Sequence, residues 1–273
     1  MNAILQKYEL RARAIESLLC VGLDPVLSEI PEPSRSAQKP LFAFNKNMID
    51  LTAEYAVAYK PNTAFYEAHG SEGVGQLEQT IDYLRTSYPD IVTICDAKRG
   101  DNSNTNKRYV CAIFDHFGFD AVTLHTYLGK EALAPFLDRH DKACILLCRT
   151  SNPGAGELQD IESDGKPLCE AVADRVANHW DTNGNCMLVV GATYPEVMRR
   201  IRAIAPRITF LVPGIGEQGG DIGAVVSAGL SANGYGLILS SSREIIFSSD
   251  PAAAARNLRD DINSARQAFN AAS

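Results

Sequence analysis

The chain has 273 residues, 45% of them hydrophobic and 22% charged, an ordinary globular composition with enough length to bury a large core. Its 26 Lys and Arg against 33 Asp and Glu leave a net charge of −7, which argues against a nucleic-acid partner but allows one small anion in a local basic pocket. The seven Cys include no C-x-x-C pair, and Cys20, Cys95, Cys144, Cys148 and Cys186 sit in apolar runs as small hydrophobes, so a reducing, cytoplasmic setting is expected. Residues 1–13 mix charges with apolar residues and carry no signal-peptide core, and no apolar run approaches a membrane span, so no membrane contact is expected.

Along the chain, an N-terminal helix precedes a first strand, Leu18–Leu23, followed by a Pro-rich loop over Ser28–Pro40. A helical pattern over Ala37–Glu54 leads to a second strand, Ala56–Lys60, and another over Gly73–Ser87 to a third, Ile91–Cys95. Then come a helix over Asn104–Phe117, a strand at Ala121–Leu124, a helix over Lys130–Arg139 and a strand at Ala143–Cys148. A long polar loop, Asn152–Gly165, precedes a helix over Pro167–Trp180 and a strand at Met187–Val190. The last units are a helix over Pro195–Ile204, a strand at Ile208–Val212, a helix over Asp221–Ala228, a strand at Leu237–Leu239 and a helix over Ala252–Phe269. Such alternation predicts parallel pairing through right-handed crossovers, and the continuous apolar strands predict a sheet covered on both faces. Eight units in about 250 residues fit a single α/β domain spanning 1–273, a closed (β/α)8 TIM barrel, better than an open doubly wound sheet.

Polar residues collect where the predicted strands end. Strand one ends at Asp24 and strand two at Lys60, while strand three runs into Asp96-Ala97-Lys98-Arg99-Gly100-Asp101. His125 follows strand four and Arg149-Thr150-Ser151 strand five. In an extended chain Asp96 and Lys98 point the same way, so carboxylate and ammonium would share one rim with Asp101. Such a cluster can set a proton donor beside a developing negative charge. After strand seven the run Pro213-Gly214-Ile215-Gly216-Glu217-Gln218-Gly219-Gly220 lets the backbone aim N–H groups at an anion, and Arg243, after strand eight, offers a planar fork. Barrels often hold phosphate between these two loops.

Taken in order, these segments resemble the orotidine 5′-monophosphate decarboxylase family, in its longer bacterial branch. The matching pieces are Val21-Gly22-Leu23-Asp24-Pro25, Lys60-Pro61-Asn62, the Asp96–Asp101 run, Arg149-Thr150-Ser151-Asn152-Pro153-Gly154, the glycine-rich run from Pro213, and Ser242-Arg243. The resemblance implies conversion of orotidine 5′-monophosphate to uridine 5′-monophosphate (UMP) and CO2 in pyrimidine biosynthesis, without metal or organic cofactor. It implies that Lys98 is the proton donor, with Asp96 beside the substrate carboxylate. Asp24 and Lys60 would hold ribose hydroxyls, and Ser151 the pyrimidine edge. Gln218 and Arg243 would hold the phosphate, with Pro213, Gly214 and Ser242 nearby. Asp101 and Thr105 would reach into a partner's site, making the active unit a homodimer.

One position departs from the family pattern: Asn102 stands where many relatives carry an apolar residue, commonly Ile. There it would meet the neighbour's pyrimidine pocket. Two other readings stay open at this level, a Mg-dependent phosphosugar aldolase or decarboxylase of the same barrel superfamily, and a non-catalytic nucleotide-binding barrel.

Overall fold

The computed structural model describes residues 2–215 and 220–272. Its centre is a closed barrel of eight parallel strands: β1 (Leu19–Gly22), β2 (Ala56–Lys60), β3 (Val92–Arg99), β4 (Ala121–Leu124), β5 (Ala143–Arg149), β6 (Cys186–Val190), β7 (Thr209–Pro213) and β8 (Leu237–Ser241). Each strand pairs with its sequence neighbours, and β8 pairs back onto β1 with Leu19 opposite Leu239. All residues of β1, β2, β4, β6 and β8 are buried, as strands between a filled barrel interior and an outer ring of helices must be. The expected fold is therefore observed.

The helix over Ala3–Ala14 lies across the strand entrances. Tyr8, 1% exposed, donates its hydroxyl to the Leu237 carbonyl at 2.7 Å; Arg11 donates to the Ala56 carbonyl at 2.8 Å, and Lys7 pairs with Asp120 at 2.8 Å. One end of the barrel is thus sealed, and the chemistry has the opposite rim to itself.

Three kinds of difference separate the structure from the pattern read in sequence. The helices expected over Asn104–Phe117 and Pro167–Trp180 are shorter, Ser103–Val110 and Leu168–Arg175. Each finishes in a wider π turn, closed by Phe117 N–H to the Ala112 carbonyl and by Asp181 N–H to the Val176 carbonyl. The polar loop after β5 is folded: a short helix, Gly156–Gln159, precedes a two-stranded hairpin pairing Glu162–Ser163 with Lys166–Pro167. Asp164 and Gly165 turn it with φ of 55° and 74°, the mirror-image turn that matches strand twist. The third difference, in β3, belongs to the site.

Candidate active site

β2 and β3 are neighbours, and their ends place three charges in a row. Lys60 Nζ donates to Asp96 Oδ2 at 3.0 Å and Lys98 Nζ donates to Asp96 Oδ1 at 2.6 Å. Burial alone would raise the Asp96 carboxyl, but the two ammonium groups outweigh it and hold the carboxyl well below its usual range. Burial likewise pulls the Lys60 ammonium down, and Asp96 and Asp24 more than offset it, so Lys60 stays charged. Removing either buried partner alone would strand a charge, at a cost of about 3–5 kcal/mol. Lys98 differs from both: its side chain is 44% exposed against 9% for Asp96 and Lys60, so its ammonium can meet a ligand.

The expectation that β3 stops at Cys95 is corrected: the strand continues through Asp96 and Lys98 to Arg99. It is not regularly extended there. Lys98 has φ of 46°, and the pairing with β4 jumps from Cys95 opposite Val122 to Arg99 opposite Leu124. The charged ends of Asp96 and Lys98 still meet, through this bulge rather than through simple alternation.

Asp101 does not join them. Its Oδ1 accepts from the Asn102 amide at 2.6 Å and its own amide donates to Asn106 Oδ1 at 3.0 Å; no ion pair links it to Lys98 among the described residues. Asn102 has a local duty, as the N-cap of the helix Ser103–Val110, its Oδ1 accepting from the Thr105 amide at 3.2 Å. That bond gives the polar residue at this position a structural reason.

Above the charged row opens a cavity of about 750 Å³. Lys60, Asp96, Lys98, Ser151 and Pro213 all line it, as do Thr123 and His125. Burial and the nearby Lys98 charge lower the His125 pKa, so the imidazole is neutral at pH 7. Ser151 comes close because Gly191, at the end of β6, has no side chain: a Cβ there would lie 2.7 Å from the Ser151 amide nitrogen. A second hollow of about 320 Å³ adjoins the first and shares Lys60 and Pro213 with it. Asp24, Gly214, Ser242 and Arg243 line this one. Gly214 turns away from β7 with φ of 93°, a left-handed conformation that glycine adopts freely. Asp24 ties three strand ends together, accepting from the Asn62 amide at 3.0 Å and from the Ser242 hydroxyl at 3.0 Å. Arg243 pairs with Glu29 at 3.3 Å. Gln218 lies outside the described residues.

A larger hollow, of about 880 Å³, sits beside the loop after β1. No acidic residue lines it, so the chemistry assigns the site to the strand ends. Among the described residues no three His, Cys, Asp or Glu side chains converge as a metal site. An ammonium on each oxygen of Asp96 opposes a divalent cation at that carboxylate.

Other parts of the site carried little signal in sequence. Thr123, in β4, is 1% exposed and contacts Asp96. The folded loop after β5 brings Leu158, Gln159 and Leu168 to the cavity wall. It is tied down by Arg149 to Asp160 at 3.0 Å and by the Thr150 amide to Gln159 Oε1 at 2.8 Å. Arg149 and Thr150 belong to a segment already singled out in sequence, but Gln159, nine residues beyond Thr150, forms no recognisable motif with them by spacing.

The sequence profile of the orotidine 5′-phosphate decarboxylase / HUMPS family matches residues 17–258, from the first barrel strand past the last. The chain belongs to this family. It is 48% identical over 259 residues to the orotidine 5′-phosphate decarboxylase of Cellvibrio japonicus, covering 92% of this chain and 94% of that protein. Among solved structures it is similar to the OMP decarboxylase of Leishmania donovani, at 40% identity and a TM-score of 0.87, covering 98% of this chain and all of the other. The UMP synthase of the same organism matches at 41% identity and a TM-score of 0.89 over 97% of this chain. The chain spans 57% of that longer protein. No helix among the described residues is long and apolar enough to cross a membrane.

Proposed function

We propose that this chain decarboxylates orotidine 5′-monophosphate to UMP and CO2, with Lys98 as the proton donor. One observation carries the reading: the exposed ammonium of Lys98 is fixed against a buried carboxylate at the wall of a cavity that adjoins an arginine-lined hollow. The pyrimidine would occupy the larger space, near Ser151, and the phosphate the smaller, at Arg243 and Gly214. Asp24 and Lys60, between them, suit the ribose hydroxyls.

The bond between carbon 6 of the ring and its carboxyl group breaks, CO2 leaves, and the electron pair stays on carbon 6. The ring π system delocalises that pair poorly, so fixed charge must stabilise it. Lys98 does so and transfers a proton from Nζ to carbon 6; its neutral amine then regains a proton from solvent. The Lys60–Asp96 pair holds the row in place before substrate arrives, so little reorganisation is needed during reaction.

The active unit is proposed to be a homodimer in a reducing cytoplasm, which suits seven free cysteines. Asp101, whose carboxylate binds the Asn102 amide rather than its own Lys98, would complete the partner's site with Thr105. Tyr127 and Leu128, 89% and 50% exposed at the same rim, offer apolar surface for a partner to cover.

The test is direct: incubate the protein with orotidine 5′-monophosphate and excess chelator and follow the ultraviolet change on loss of the carboxyl group. Sustained turnover is expected, and a chain inert in this assay overturns the proposal. Arg243→Ala is expected to lower kcat/KM by about 10–100-fold, the worth of about 1.5–3 kcal/mol for a hydrogen bond to a charged group. Unchanged kcat/KM in steady-state assays would remove Arg243 from the phosphate site.

A further inference from the structure

Lys98 is one of three non-glycine residues with positive φ among those described; the others are Glu16, after the N-terminal helix, and Asp164, in the hairpin turn. Only Lys98 lies in a barrel strand. A left-handed lysine is strained and persists only where its surroundings impose it. The strand ladder does not impose it. Between the pairs Cys95–Val122 and Arg99–Leu124, the residues Asp96, Ala97 and Lys98 of β3 face Thr123 of β4 alone.

The Thr123 side chain takes the place of the missing ladder. Its Oγ1 accepts from the Lys98 amide at 2.9 Å, and its hydroxyl donates to Asp96 Oδ1 at 2.9 Å. That oxygen also receives Lys98 Nζ at 2.6 Å. The contacts close a ring: Lys98 backbone, Thr123 hydroxyl, Asp96 carboxylate, Lys98 ammonium. A hydroxyl suits this place because it accepts and donates at once. β-Branching stiffens its χ1, and the residue is 1% exposed, so the bridge has little freedom.

We propose that Thr123 is a positioning residue for Lys98: by bridging the Lys98 amide and Asp96, its hydroxyl holds the bulge that aims the ammonium at the reacting carbon. This rests on Lys98 being the proton donor. Thr123 makes no proton transfer itself; it keeps the donor in place. Misplacing a reacting group by about 1 Å can cost about 100-fold in rate.

Thr123→Val keeps the shape and removes both bonds, whereas Thr123→Ser keeps the hydroxyl and loses a methyl group. In the valine variant kcat is expected to fall about 10–100-fold. Its affinity for UMP, measured by titration, should stay within about 3-fold, because binding does not need the donor aimed. The serine variant should recover kcat to within about 5-fold of the unaltered protein. Unchanged kcat in the valine variant overturns the proposal. So does a fall in UMP affinity as large as the fall in kcat, or a serine variant as impaired as valine, since either pattern marks a packing role. If the valine variant does not fold, Thr123→Ala against Thr123→Ser carries the same comparison. Failure of the proposed function shows differently, as an unaltered protein that does not turn over.

Discussion

Lys98→Ala is expected to lower kcat by at least about 10⁴-fold while UMP affinity changes only a few-fold. General acid catalysis is worth about 10²–10⁴, and preorganised charge at a developing anion about 10²–10³. Both are lost together here. Two unit charges ~4 Å apart interact by ~4 kcal/mol at an effective dielectric of ~20, which alone is about 10³ in rate. Lys98 is also the cleanest position for the test. It is half exposed, and Asp96 keeps its Lys60 partner when Lys98 is gone, so the buried charge stays compensated. The same change at Lys60 would confound chemistry with stability. Single-turnover rates and UMP titration check the result; a variant with ordinary turnover would sink the assignment of Lys98 as acid.

The second large effect is a recovery of activity. Asp101→Ala and Lys98→Ala proteins, each nearly inactive alone, are expected to regain activity when mixed under conditions that let subunits exchange. If Asp101 serves the partner's site, each mixed dimer has one site with both defects and one with neither. Random exchange makes about half of the dimers mixed, so activity should approach about a quarter of the unaltered protein's. If Asp101 serves its own site, both sites of every mixed dimer stay damaged and nothing returns. The geometry motivates the test, because the Asp101 carboxylate binds the next residue's amide rather than Lys98.

Most of the barrel was legible because its signal is local. Ala56–Lys60 and Ala121–Leu124 were located to the residue by apolar, β-branched runs, because a strand buried on both faces is predominantly apolar. The rim was legible as a cluster, since Asp24, Lys60 and Lys98 follow or end such runs, and the structure gathers them around two adjoining hollows. Part of what escaped depends on contacts far apart in the chain. The left-handed Lys98 depends on Thr123, 25 residues away, and nothing near Lys98 announces it. Asn102 departs from the family pattern, and its bond to the Thr105 amide adds a capping role that local sequence could have suggested. The hairpin after β5 did carry a signal, Asp164-Gly165, but lay in a segment too polar to look like strand.

The way the floor and the rim are tied sets an order of assembly. During synthesis the Lys60–Asp96 contact joins residues 36 apart and the Thr123–Asp96 contact residues 27 apart, so the proton-donor half can form on a partly made chain. The Tyr8–Leu237 bond spans 229 residues and the Ser242–Asp24 bond 218. Neither can exist until the final strand has emerged, and loops this long close late and slowly. The Ser242–Asp24 tie of the anion-holding half therefore waits on the strand that closes the barrel, as does the Tyr8 bond of the N-terminal helix, whereas that helix's Arg11 bond to Ala56 does not. The proton-donor half is thus held by contacts close in the chain, and the anion-holding half by contacts that join its two ends.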